Sequence, residues 1–196
     1  MKIIRKIIYI IYRILNIFRT YLAFKVNNVS YSSYRCYGVP FIHTETGSIK
    51  LGSDFAMNNG MFGNQIGFNN PCILRVENGN ITIGDNVGIS QSTLIAKGAN
   101  IIIGNNVKLG GGVKIYTTDF HSLNFELRRN WEIEKHHCQC KSVIIEDDCF
   151  IGAGSIILKG ITVGARSIVG AGSVVTKSIP SGEIWGGNPA KFIKKI

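Results

Sequence analysis

Acidic residues are missing from the start of the chain. No Asp or Glu precedes Glu45, whereas Lys2, Arg5, Lys6, Arg13, Arg19, Lys25 and Arg35 lie there, so this stretch supplies +7 of a net charge of +10. Glycine is scarce in the same stretch: Gly38 alone precedes Gly47, and the other 22 of 23 follow. That total is far below one third of 196 residues and proline numbers only four, which excludes collagen. Long unbroken apolar runs are also missing. The longest near the N-terminus is Ile7–Tyr12, against the ~20 residues that span a bilayer, so a transmembrane chain is not expected. Charged residues are few, 17% against 45% apolar, which excludes a disordered chain and leaves one domain with a real core. The cysteines (Cys36, Cys72, Cys138, Cys140 and Cys149) are odd in number and lack framework spacing. Arg13 interrupts the only candidate signal region, and no small-residue cleavage site follows. Reduced thiols and a cytoplasmic location are the expectation.

Charge and glycine together divide the chain. Residues 1–24 predict an amphipathic helix. At about 100° per residue, Ile4, Ile7, Ile8, Ile11, Ile14, Leu15, Phe18 and Leu22 share one face. Lys2, Arg5, Lys6, Tyr9, Arg13, Asn16, Arg19 and Thr20 share the other. Two partners fit such a helix: an anionic membrane surface touched through residues 2–24, or the protein's own body. The first would make a cytoplasmic protein peripheral on the inner face of the membrane. Nucleic acid is not expected, because the cations lie on one helix without a reading motif and the rest is nearly neutral.

A connector (25–46) leads to a repeat over 47–180. Five segments read aliphatic, any, aliphatic, usually Gly, two small or polar residues, then a small or apolar one. They begin at Ile49, Ile81, Ile101, Val143 and Ile161. A beat of six continues between them: Ile83, Ile89, Ile95; Ile103, Leu109, Ile115; Ile145, Ile151, Ile157; Val163, Val169, Val175. Six is wrong for a helix and too long for strand alternation. It fits a coil of three flat sides and about 18 residues, with one aliphatic residue pointing inward per side. Asn and Gly supply positive φ at the corners. The spacing 143 to 161 is one coil, 81 to 101 is a coil with two extra residues, and 101 to 143 is expected to hold two coils and a loop. The beat is lost over the excursion 116–140, and long excursions from a regular stack carry function. Residues 181–196 form a tail.

The excursion opens Tyr116-Thr-Thr-Asp-Phe-His121-Ser. An imidazole titrates near pH ~6.5 and can serve as a general base, with Asp119 or a backbone carbonyl fixing its tautomer. A solvated loop histidine reads the same way.

Several motifs together decide between these. They are Thr118-Asp-Phe-His-Ser122, Glu126, Arg128-Arg129, Ile151-Gly-Ala-Gly, Ser173-Val-Val-Thr-Lys177-Ser-Ile-Pro180 and Gly187-Asn-Pro-Ala-Lys191. Over about residues 47–196 the chain resembles the hexapeptide-repeat O-acetyltransferases. Galactoside and maltose O-acetyltransferases are the nearest likeness, with the enzymes that acetylate capsule and O-antigen sugars. The resemblance implies an all-β fold, a left-handed parallel β-helix, although parallel crossovers generally prefer the right hand. It implies a homotrimer with acetyl-CoA as co-substrate, no metal, and a sugar or lipid-linked saccharide as acceptor. His121 matches the catalytic base. Asn70 matches an asparagine near the acceptor hydroxyl, and Arg128 lies where an acceptor would arrive. Ala153, Ala171, Thr176, Lys177, Lys191 and Lys194 match the CoA contacts. Two family arginines in the tail appear here as Lys191 and Lys194, which keep charge but lose the bidentate fork.

Three rivals remain. A γ-type carbonic anhydrase would need zinc ligands spaced along a coil, and His136 and His137 are adjacent, so in a strand they would face opposite ways. A serine O-acetyltransferase carries a long helical N-terminal domain, for which about 45 residues are too few. A non-enzymatic scaffold assembling on a membrane is the third. The donor could also be a longer acyl-CoA such as succinyl-CoA.

Overall fold

The hexads close into triangular coils, as a period of six requires. The structure is a computed structural model and describes residues 2–196, apart from the side chains of Lys2, Ile3, Arg5 and Phe62. Short strands stack into three sheets, one per side of a prism, and pairing within the stack is parallel. Each coil visits the first, second and third sheet in turn. The strands Ile101–Ile103, Lys108–Leu109 and Lys114–Tyr116 make one such coil.

In-register pairing stacks like on like. Ile101 lies between Ile81 and Val143, and Ile103 between Ile83 and Ile145. These side chains are buried, and each contributes about 1.5–3 kcal/mol relative to leaving it exposed. Corners follow their own logic. Asn86, Asn106 and Asp148 take φ of 54°, 58° and 60° at the corner after the first sheet, a conformation short polar side chains tolerate. Gly84 is needed for close approach instead: a Cβ there would lie 2.8 Å from the Gly104 carbonyl carbon of the next coil.

The repeat differs from its sequence reading in four places. Ile101 pairs directly with Val143. The interval 101–143 therefore holds one coil and a long excursion, not two coils, because nothing after Tyr116 supplies an inward hexad. On the third side of the coil that starts at Ile81, Ser92 and Leu94 face inward while Thr93 and Ile95 are only half-buried. Leu94 is the partner of Ile115, so the preceding corner is one residue shorter than elsewhere. The stack also begins before residue 47. Strands Ser30–Tyr31, Tyr34–Tyr37 and Phe41–Thr44 form a first coil stacked on Ile49's coil. Its inward residues include Val29, Cys36 and Ile42 rather than an aliphatic pair before Gly. Lastly, the stack continues past Pro180 into the tail. Glu183–Gly186 extends the second sheet, and Lys191–Lys195 folds back antiparallel upon it.

The N-terminal helix, α1 (Lys2–Val26), docks by its polar side. Among its described side chains, Asn16, Thr20 and Phe24 are the buried ones, at steps of four. Phe24 packs 5.5 Å from Tyr31 and 4.8 Å from Tyr34, centroid to centroid. The Thr20 hydroxyl donates to the Gly38 carbonyl at 3.3 Å. The Arg13 guanidinium lies 5.5 Å above the Tyr37 ring. Asn16 and Thr20, placed by the sequence on the polar face, are thus the docked side, and the Ile-rich face is the exposed one. The side chains of Lys2 and Arg5 lie outside the described residues. By length and composition, Lys6–Val26 could also cross a membrane, with mean hydropathy 1.4, as could a signal sequence. The criterion of unbroken runs missed this, because Arg13 and Arg19 interrupt the runs without lowering the mean much.

Candidate active site

The long excursion leaves the corner between the third and first sheets and returns at Val143. Its base is closed by a bridge between Thr118 and Cys140. Within it Phe120 takes φ of 65°, unusual for a bulky residue and a mark of functional sites. Three contacts hold Phe120 there. Its N–H donates to the Thr118 hydroxyl at 3.2 Å, its carbonyl accepts from the Cys138 thiol at 3.2 Å, and its ring meets Tyr116 edge-on at 5.3 Å.

The residue so aimed is His121, whose side chain is 65% exposed. Its Nδ1 lies 3.1 Å from Glu134 Oε1. Glu134 is itself 4% exposed and sits on a one-turn helix, Trp131–Glu134, whose start is capped by the Asn130 side chain. The same Oε1 accepts from the Ser122 N–H at 3.0 Å. With the carboxylate on Nδ1, the ring carries its proton there and Nε2 is free to accept one from a substrate.

This corrects the sequence reading of Asp119. Its carboxylate pairs with Lys159 at 2.8 Å, on the neighbouring coil of the same corner. Glu134 has the orienting position instead. Sequence reading missed it because it lies 13 residues from His121 within a segment without periodicity; a buried Glu on an irregular loop has no linear signature. Arg128 donates to the carbonyls of Ser122 and Leu123 at 2.7 and 3.0 Å. It braces the loop that carries His121.

The remaining expected residues fall into three groups. Thr176 and Lys177 share the His121 corner, two coils along. Ala153 and Ala171 stack at the other corner, between the second and third sheets, where the Gly172 N–H donates to the Ala153 carbonyl at 2.8 Å. Asn70 belongs to a second excursion that rises from that same corner, and its carbonyl accepts from the Gly60 N–H at 2.9 Å. Ile66 and Phe68 of this excursion press on Gly111 and Gly112 in the same glycine- and alanine-lined column. Gln91 pins it from below, with Nε2 within 3.0, 2.9 and 3.3 Å of the carbonyls of Gly60, Asn64 and Phe68. Lys191 and Lys194 lie exposed on the returning tail strand. One chain therefore does not bring Asn70, Ala153 or Ala171 to His121; they occupy a different corner of the prism.

Four of the five thiols are disfavoured from ionising. Burial pushes Cys36 and Cys149 up to about 11 and Cys72 up to about 12. Cys138 is also raised, by burial and then by Glu134. Among the described residues, no group of three or more His, Cys, Asp or Glu is placed to hold a metal ion.

The family model described as the hexapeptide repeat of succinyl-transferase matches residues 142–177. A hexapeptide-repeat-containing acetyltransferase of Vibrio cholerae is similar in structure, with 29% identity and a TM-score of 0.60 over 92% of this chain and 80% of that one. A maltose O-acetyltransferase of Clostridium difficile matches at 27% identity and a TM-score of 0.50, over 86% and 69%. Among curated proteins, the mitochondrial gamma carbonic anhydrase 2 of Arabidopsis thaliana is 34% identical over 129 residues, 64% of this chain and 40% of that protein. The chain thus spans about two fifths of the first curated relatives it matches. Together with three parallel sheets in register, these matches give the chain a left-handed parallel β-helix fold, similar to that of hexapeptide-repeat acetyltransferases.

Proposed function

We propose that this protein is an O-acetyltransferase that moves acetyl from acetyl-CoA to a sugar hydroxyl, with His121 as general base. The observation that carries this reading is the His121–Glu134 pair: an exposed imidazole fixed through Nδ1 by a buried carboxylate. The likeness to acetyltransferases of the same fold supports it.

A sugar hydroxyl is a weak nucleophile at neutral pH. His121 Nε2 takes its proton as the oxygen attacks the thioester carbonyl carbon. Main-chain N–H groups of a neighbouring coil steady the oxyanion. The C–S bond then breaks, and the imidazolium returns the proton to the leaving thiolate. The products are the acetyl ester and free CoA. Transfer is direct, in a ternary complex, since the raised Cys138 thiol offers no good acyl carrier.

The co-substrate suits the small-residue column at Ala153 and Ala171, where a flexible chain can approach the backbone. Lys177, Lys191 and Lys194 would meet its phosphates. That column and His121 stand at different corners, which is why we read the protein as a homotrimer whose sites form where the His121 corner of one copy faces the Ala-lined corner of the next. The acceptor is in this reading a sugar of a surface polysaccharide or its lipid-linked precursor, acetylated at the cytoplasmic side.

A carbonic anhydrase is the second reading, favoured by the Arabidopsis relative. Its weakness is the histidine set. His136 and His137 adjoin on the excursion, and His137 Nδ1 lies 2.8 Å from the Ile133 carbonyl.

The test is release of CoA thiol from acetyl-CoA in the presence of sugar acceptors. The wild type should release it in an acceptor-dependent way, and His121→Ala should not. Acceptor-dependent release that survives in His121→Ala would sink the proposed base.

A further inference from the structure

We propose that α1 lays this protein flat on an anionic lipid bilayer, through the helix face turned away from the body. Helices of globular proteins normally bury their apolar stripe and leave polar residues outside. Here the arrangement is reversed. Asn16 and Thr20 are buried against the first coil, while Ile4, Ile7, Ile8, Ile11, Ile14, Leu15, Phe18 and Leu22 are exposed. At 100° per residue the two sets are centred on opposite sides of the helix. Apolar side chains over about five turns form a larger open patch than a soluble monomer usually carries.

Charge names the occupant. At 100° per residue Arg19 and Lys25 lie along the two edges of the exposed apolar face, while Lys6 and Arg13 lie on the docked side, where Arg13 stacks over Tyr37. No acidic residue lies among them, or anywhere before Glu45. An apolar face bordered by cations matches the boundary between acyl chains and anionic headgroups.

Docking also fixes the mode of contact. Tyr9, Tyr12, Arg13 and Asn16 border the same small cleft as Cys36, Tyr37 and Gly38. Thr20 and Phe24 continue the seam. A helix held along the body from Tyr9 to Phe24 cannot pass through a bilayer without leaving that seam. It can lie in the interface with its free face in lipid, and the protein above it. This inference stands independently of the catalytic reading.

The experiment is co-sedimentation of the full-length protein with vesicles of phosphatidylcholine alone or mixed with phosphatidylglycerol. The protein should pellet with the mixed vesicles, weakly with phosphatidylcholine, and be released by high salt. Replacing Arg19 by Gln should weaken binding about fivefold. The double variant Ile11→Asn, Phe18→Asn alters only exposed positions, so it should keep the wild-type circular dichroism spectrum and melting temperature while losing the vesicles. Equal binding to both lipid mixtures would overturn the proposal, as would a folded wild type that stays in the supernatant. Resistance to carbonate extraction would overturn it in favour of a span. Vesicle-free self-association that Phe18→Asn abolishes, without lipid binding, would assign the face to another copy of the chain.

Discussion

Replacing Glu134 separates the orienting carboxylate from every other acid in the molecule. Its Oε1 accepts two bonds, from His121 Nδ1 at 3.1 Å and from the Ser122 N–H at 3.0 Å. With 4% of the side chain exposed, both bonds are shielded from solvent while Glu134 is in place. Glu134→Ala leaves the Ser122 N–H unpaired, which costs about 1–3 kcal/mol of local stability. It also frees the imidazole to turn and to change tautomer. A positioned general base supplies about 10²–10⁴-fold, so the expected loss in kcat is about 10²-fold. Glu134→Gln can still present an oxygen to both donors but not the charge, and should lose about tenfold. Asp119→Asn breaks only the pair with Lys159 and should stay within about threefold, because that pair does not touch the imidazole. The assay is acceptor-dependent release of CoA thiol, with amide exchange at Ser122 as the structural readout. Faster Ser122 exchange in Glu134→Ala but not in Asp119→Asn should accompany the activity order. A larger loss from Asp119→Asn than from Glu134→Ala would refute the assignment.

The buried thiols predict an alkaline limit. Cys36, Cys72 and Cys149 are held near 11, 12 and 11, above an ordinary thiol at about 8.5. The folded state therefore disfavours their ionisation. This contribution to stability is whole below pH ~8.5 and is lost as pH rises towards 11–12, so urea midpoints should fall across that window. Unchanged midpoints there would contradict it. In native protein at pH 8 these three thiols should resist aromatic disulfide reagents until the chain unfolds. Gly111→Val places a Cβ 3.0 Å from the Phe68 ring and crowds Ile66. It should lift the second excursion at a cost of about 1–3 kcal/mol, read by thermal melting and by faster proteolysis near Ile66. Ile145→Ala, in the fully buried column between Ile103 and the next coil, should cost about 2–5 kcal/mol. Exchanging both Lys191 and Lys194 for Ala should weaken acetyl-CoA binding by up to about tenfold, more at low salt, with no change in melting temperature.

The repeat was legible because its period is set by backbone geometry. Wherever an aliphatic pair is followed by Gly and two Asn or Asp, as at Ile81 and Ile101, the inward positions and the turning corners are the expected ones. It failed where the pattern slips. Leu94 rather than Ile95 faces the core, because the corner after Ser90 is a residue short and apolar residues occupy both faces of the following strand. The first coil at 30–44 was illegible because Tyr34, Cys36 and Ile42 fill it without a hexad. At the candidate site, the surrounding motif points to His121. Its partner has no such mark: a short-range guess chose Asp119, two residues away, whereas the chain folds back to bring Glu134. Helix α1 was legible as amphipathic, but amphipathicity is symmetric with respect to which face docks. Only packing of Thr20 on Gly38 and Phe24 between Tyr31 and Tyr34 decides that.

Calorimetry of acetyl-CoA with the folded, full-length protein tests the central claim most directly, before any acceptor is known. The account predicts saturable binding at one site per chain, weakened by Lys177→Ala and retained by His121→Ala, which alters chemistry rather than the groove. Absence of binding in protein shown by light scattering to be trimeric would contradict it, and stoichiometric zinc in that protein would give the fold to the carbonic anhydrase reading instead.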